Sequence, residues 1–150
     1  MNILALDVGS RTGWTARING MIESGVETFS IERNESRGMR FLRFRSWLDG
    51  MITTVNPSLI VYERPHQRGG PPTEFLYGLT TRIDEACSVN GIDYKAVHIG
   101  TLKKFATGKG NASKDEMMAV ARQRMGREPI DDNESDSYLL LEYAIKNYVE

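Results

Sequence analysis

The dipeptide Asn19-Gly20 sits between two stretches, residues 12–18 and 22–29, that each read as a strand. Asn-Gly in that setting is a strong signal for a two-residue hairpin, because the turn that matches the twist of paired strands needs positive φ at both positions. A short apolar run, residues 2–8, precedes the hairpin, and residues 9–11 form the turn between them. Three antiparallel strands therefore open the chain, and any fold has to be built around them.

Beyond the hairpin, helix and strand patterns alternate. Residues 35–54 are predicted to be helical, with Met39, Phe41, Leu42, Trp47, Leu48 and Ile52 as an apolar stripe, and Asn56-Pro57 stops the helix. "SLIVYE", residues 58–63, is a second buried strand. "RPHQRGGPP" is expected to be a loop, given its two glycines and three prolines. Residues 73–89 read as a helix closed by Asn90-Gly91, and residues 93–99 as the last strand. A short helix is allowed over 100–105. Ser113 is placed to cap a helix over 114–125. A final helix runs from about Asp131 to about Tyr148, with Asp131 and Glu134 spaced as in a capping box. The order β-β-β-α-β-α-β-α-α, with the short helix set aside, predicts a three-layer α/β fold: a mixed five-stranded sheet with helices on its faces.

At 150 residues the chain is expected to be one domain, residues 1–150. No apolar stretch approaches the roughly 20 residues of a membrane span. The N-terminus has no basic flank or small-residue cleavage site, so no signal peptide is expected. One cysteine, Cys87, excludes an internal disulfide and a multi-cysteine zinc site. Together these point to a reducing cytoplasm. Net charge is −1, but charge is segregated. Residues 101–127 hold seven Lys or Arg against Asp115 and Glu116, a second basic stretch holds Arg33, Arg37, Arg40, Arg43 and Arg45, and acids gather at 131–136. Such a chain can present a basic face, although solvated helix surfaces explain the same pattern.

Three acids occupy comparable places. Asp7 ends the first strand, Glu63 ends the fourth, and Asp136 lies one turn inside the last helix. The first and fourth strands are natural neighbours at the centre of such a sheet. A helix start packed over their ends brings three carboxylates together. Clustered carboxylates repel and need a cation, and an all-oxygen set suits Mg²⁺ or Mn²⁺. Two such ions about 4 Å apart are suited to phosphodiester hydrolysis. Taken singly, each acid has a plainer use: Asp7 in a turn, Glu63 as a strand-end charge, Asp136 as a charge favoured by the helix N-terminus. Asp132, four residues before Asp136, shares its side of the helix. A Walker-type loop is absent, so no organic cofactor is expected.

"LALDVGSRTGW", "LIVYERPHQRGG", "TLKKFATGKGNASKDEM" and "DDNESDSYLLLEYA" resemble, in order and spacing, the motifs of RuvC-type Holliday junction resolvases, especially short phage versions. The resemblance spans nearly the whole chain. It implies a ribonuclease H-like fold, a homodimer, a bacterial or phage-encoded source, and metal-dependent paired nicking of four-way DNA junctions. It implies Asp7, Glu63 and Asp136 as metal ligands, and Lys103 and Lys114 as lysines near the scissile phosphate. Family members carry Asp or His three residues before the last aspartate, where this chain has Asn133. Asp132 is preferred as the fourth ligand for its charge, and Asn133 stays open through its carbonyl. The family's aromatic wedge after the second acid is replaced by Arg64-Pro65-His66-Gln67-Arg68. Here His66 is a candidate for base stacking, Arg64 and Arg68 for phosphate contact. Arg11, Lys104 and Lys109 complete the expected DNA-binding set, the last in a glycine-rich loop that allows close backbone approach. The alternatives are the same chemistry on forks or flaps, and a catalytically silent DNA-binding accessory. Phe75, Leu76 and Leu79 are the candidate dimer contacts.

Overall fold

The computed structural model describes residues 1–65 and 69–149. Ten elements run in chain order: β1 (Ile3–Asp7), β2 (Arg11–Ile18), β3 (Met21–Thr28), α1 (Arg37–Val55), β4 (Leu59–Glu63), α2 (Gly70–Asn90), β5 (Asp93–Val97), α3 (Ile99–Thr107), α4 (Lys114–Met125) and α5 (Asp132–Tyr148). The five strands form one mixed sheet in the order β3-β2-β1-β4-β5. The β2–β3 hairpin turns on Asn19 (φ 52°) and Gly20 (φ 83°), the left-handed pair that a type I′ turn demands. β1 pairs antiparallel with β2 and parallel with β4, and β4 pairs parallel with β5.

β1 is central and buried on both faces, which is why its sequence is continuously apolar rather than alternating. Its side chains still divide between two cores. Leu4 and Leu6 join Phe44, Leu48 and Ile83 of α1 and α2 on one face. Ile3 and Ala5 join Leu102, Met117, Leu139 and Leu140 of α3, α4 and α5 on the other. Burial of these side chains is the main stabilising term, about 1.5–3 kcal/mol each. The predicted three-layer architecture, a mixed five-stranded sheet with helices on both faces, is the one observed.

Several local expectations are corrected. α2 starts at Gly70, inside the stretch expected to be loop, with prolines at its first positions. Proline is tolerated there because the amides of the first turn have no helical partner to lose. β5 ends at Val97, and His98 instead caps α3 by accepting a hydrogen bond from the Gly100 amide. That cap extends the short helix to Ile99–Thr107. Leu42 lies outside the buried stripe at 64 % exposure, since Phe44, Leu48, Ile52 and Val55 form the buried row. Leu79, a candidate dimer contact, is fully buried in the α1–α2 core, and Phe75 stacks on Phe41 at 5.5 Å. Among the described residues, no helix is long and apolar enough to cross a membrane.

Candidate active site

Leu6 pairs with Tyr62 across the parallel β1–β4 ladder, so Asp7 and Glu63 emerge side by side at the strand ends. α5 crosses above them and brings down Asp136. One carboxylate oxygen from each of these three partly buried residues lies within 4.8 Å of the others. The electrostatic signature is strong. Lost hydration, then the charges of Glu63 and Asp136 and a hydrogen bond with Glu63, hold the Asp7 carboxyl well above the usual carboxylate range. Lost hydration and the charges of Glu63 and Asp132 push Asp136 up to about 7, against the opposing pull of Lys103 and Lys114. A protein does not gather acids at this cost for stability. The donors are all oxygen, convergent and mutually repulsive, which fits Mg²⁺ or Mn²⁺ and suits neither a thiolate-loving ion nor an imidazole-ligated zinc.

The first turn of α5 is held from several sides. Asp131 caps it, accepting from the Glu134 amide at 2.9 Å, and itself pairs with the Arg11 guanidinium. Glu134 is wholly buried. Arg127 grips it with both terminal nitrogens, at 3.1 and 2.7 Å, while the Ser24 hydroxyl and the Ile130 amide donate at 2.8 and 2.7 Å. The predicted capping box is therefore half right: Asp131 caps, but Glu134 turns to Ile130 and Arg127 instead of the Asp131 amide. Further along, the hydroxyls of Thr15 and Ser137 share a buried hydrogen bond of 2.8 Å.

The other expected site residues divide. Asp132 raises the pKa of both Asp7 and Asp136, and its carboxylate lies 3.4 Å from the Lys114 ammonium. Lys114 is 84 % exposed at the start of α4, and half-buried Lys103 acts on Asp136 from α3. Asn133 turns elsewhere, its amide donating to Asp131 at 3.3 Å. Arg11 is engaged by Asp131, and Lys109 by Glu116 at 2.7 Å, with Glu116 also closing the Ser113 capping box. Lys104 is exposed on α3. Arg64 is exposed beside a cleft of about 330 Å³ whose walls include Asp7, Val8, Glu63, Pro72, Thr73 and Leu76. His66 and Arg68 lie outside the described residues. Sequence reasoning missed Thr73 as a cleft wall and Glu134 as a buried anchor. The signal for Glu134 was its spacing from Ser137, Leu141 and Ala144, which puts a charge on the buried stripe.

No protein-family model matches this chain, and no curated protein matches it in sequence. Solved structures do. The structure of Thermus thermophilus RuvC aligns with a TM-score of 0.76 at 17 % identity, covering 93 % of this chain and 90 % of that one. The T. thermophilus RuvC complex with a Holliday junction substrate gives 0.77 at 16 % identity, with the same coverage. The yeast mitochondrial Holliday junction resolvase gives 0.64 at 13 % identity, covering 98 % and 81 %. The likeness is one of architecture: this chain has the ribonuclease H-like fold of the RuvC-type resolvases.

Proposed function

We propose that residues 1–150 act as a metal-dependent, structure-selective DNA endonuclease, a homodimer that resolves four-way junctions by paired symmetric nicks. The observation that carries this reading is the convergence of Asp7, Glu63 and Asp136 at adjacent strand ends. It is supported by a fold shared with RuvC, one solved example of which holds a Holliday junction substrate. Asp7, Glu63 and Asp136 would hold Mg²⁺ or Mn²⁺, with Asp132 completing the set through its charge. Asn133 is the weaker candidate, because its amide is turned to Asp131. When bound, the metal would activate water and stabilise charge on the cleaved phosphodiester.

The chain's own residues supply the rest. Lys103 and Lys114 place positive charge beside Asp136, where a phosphate drawn into the site would meet it. Lys114 lies close enough to Asp132 to exchange that carboxylate for a phosphate oxygen. Arg64 at the cleft rim, with Lys104 and Lys109, would contact the backbone without reading bases, and Arg11 supports the site through Asp131. A four-way junction offers two equivalent strands, and a two-fold dimer presents two equivalent sites to them.

Incubating the protein with four-way, flap and linear duplex DNA in Mg²⁺, Mn²⁺ or EDTA tests the proposal. Cleavage confined to the junction and requiring metal is expected, with a dimer by light scattering. Preference for flaps or forks would reassign the substrate, and junction binding without cleavage in either metal would leave only a DNA-binding role.

A further inference from the structure

We propose that Gly13 is a positioning residue that sets how closely α5, and with it Asp136, approaches Asp7. In the β1–β2 ladder Gly13 is the residue paired with Asp7. A Cβ at position 13 would lie 1.9 Å from the Asn133 carbonyl oxygen, 2.2 Å from its carbon and 2.8 Å from the Glu134 nitrogen. All three are backbone atoms of the first turn of α5, so no flexible side chain can give way. Gly13 is not among the positive-φ glycines. Its backbone is ordinary strand, open to any residue, and a glycine there weakens the strand by offering nothing to pack. Close approach is thus the reason for glycine at this position.

The geometry makes the consequence specific. Asp7 and Glu63 stand on neighbouring strands, whereas Asp136 lies three residues beyond Asn133 on α5. Cβ atoms are essentially never found within 3.0 Å of such neighbours, so a methyl group at position 13 moves the first turn of α5 away by about 1 Å or more. The cluster, now closed to within 4.8 Å, then opens on the Asp136 side. The Glu134–Arg127 pair holds the first turn of the helix in place around this contact.

The inference rests on the metal-site reading above, and its test separates the two. Mn²⁺ binding to the DNA-free protein is titrated by electron paramagnetic resonance for the wild type, Gly13→Ala and Thr15→Val, alongside metal-free thermal unfolding and steady-state cleavage of a four-way junction. Thr15→Val breaks a hydrogen bond in the same seam without displacing backbone. Gly13→Ala should bind Mn²⁺ at least tenfold more weakly and lose about 100-fold in kcat, with KM for the junction unchanged. Thr15→Val should lower the melting temperature and leave Mn²⁺ affinity intact. Adding Asp136→Glu to Gly13→Ala should recover part of the Mn²⁺ affinity, since the longer side chain reaches back across the opened gap. The proposal is overturned if Gly13→Ala binds Mn²⁺ like the wild type, if Thr15→Val loses affinity equally, or if Gly13→Ala cannot be recovered folded, since glycine is then a folding requirement. Wild-type protein that takes up no Mn²⁺ defeats the metal-site reading itself.

Discussion

Replacing Asp7 by asparagine keeps the shape of the side chain and removes one ionisable group from the cluster, so its effect on the metal-free protein should depend on pH. Two unit charges no more than 4.8 Å apart at an effective dielectric near 20 interact by roughly 3 kcal/mol or more. The metal-free protein avoids this cost by keeping protons: Asp7 is held well above its ordinary value, and Asp136 is raised from 3.8 to about 7. Acids with raised folded pKa bind protons more tightly when folded. Their effect is therefore a loss of stability that begins near pH 4 and, for Asp136, is complete above about pH 7. A shift of that size corresponds to about 4 kcal/mol when ionisation is complete. At about pH 3, where the carboxyl is protonated in both the folded and the unfolded chain, the Asp7→Asn protein should match the wild type. At pH 8 to 9 it should be more stable by about 1–3 kcal/mol, or roughly 3–10 °C for a chain of this length. Mg²⁺ at 100 times its dissociation constant should stabilise the wild type by about 2.7 kcal/mol and the variant much less. Thermal unfolding at the two pH values, with and without Mg²⁺, measures all of this. A metal-free variant clearly less stable than the wild type at pH 8 would make Asp7 a structural turn residue. Equal stabilisation of both proteins by Mg²⁺ would remove Asp7 from the metal site.

Lys114→Ala should slow junction cleavage about 100-fold with little change in affinity, as expected of a charge that acts on the transition state. Lys109→Ala should instead weaken binding and flatten its salt dependence; equal losses of affinity alone in both variants would refute that division of labour. Arg127→Ala leaves the Glu134 carboxylate buried without its guanidinium and should cost about 3 kcal/mol in denaturant unfolding at pH 7. The pKa of Glu134 is lowered by Arg127, Ile130 and Ser24 despite its burial. The stability that Glu134 contributes is therefore present above its unfolded pKa and fades as pH falls, so the wild type and Arg127→Ala should converge in acid.

The architecture was legible because its cues are local. Asn19-Gly20 dictates a hairpin by φ alone, and "LIVYE" reads as a buried strand whichever partner it finds. Adjacent strand ends then brought Asp7 beside Glu63 by topology, and the helix start over them brought in Asp136. What escaped depends on packing at longer range. Glu134 has the spacing of a capping residue, and only the distant Arg127 and Ser24 show that it is an anchor. Proline and glycine at 69–72 read as loop because their local preferences hide a helix start that Pro71 and Pro72 tolerate. Arg11 and Lys109 look like free cations in sequence, while their acidic partners, Asp131 and Glu116, belong to caps formed by other segments.

The most direct test of junction resolution at this acidic cluster is strand-resolved mapping of the cuts in a four-way junction with each strand labelled in turn. Nicks at symmetry-related positions on two opposing strands are expected in Mg²⁺ or Mn²⁺, and uncut but bound junction in EDTA. Robust cutting in EDTA, or an intact junction in both metals, would contradict the metal-dependent mechanism.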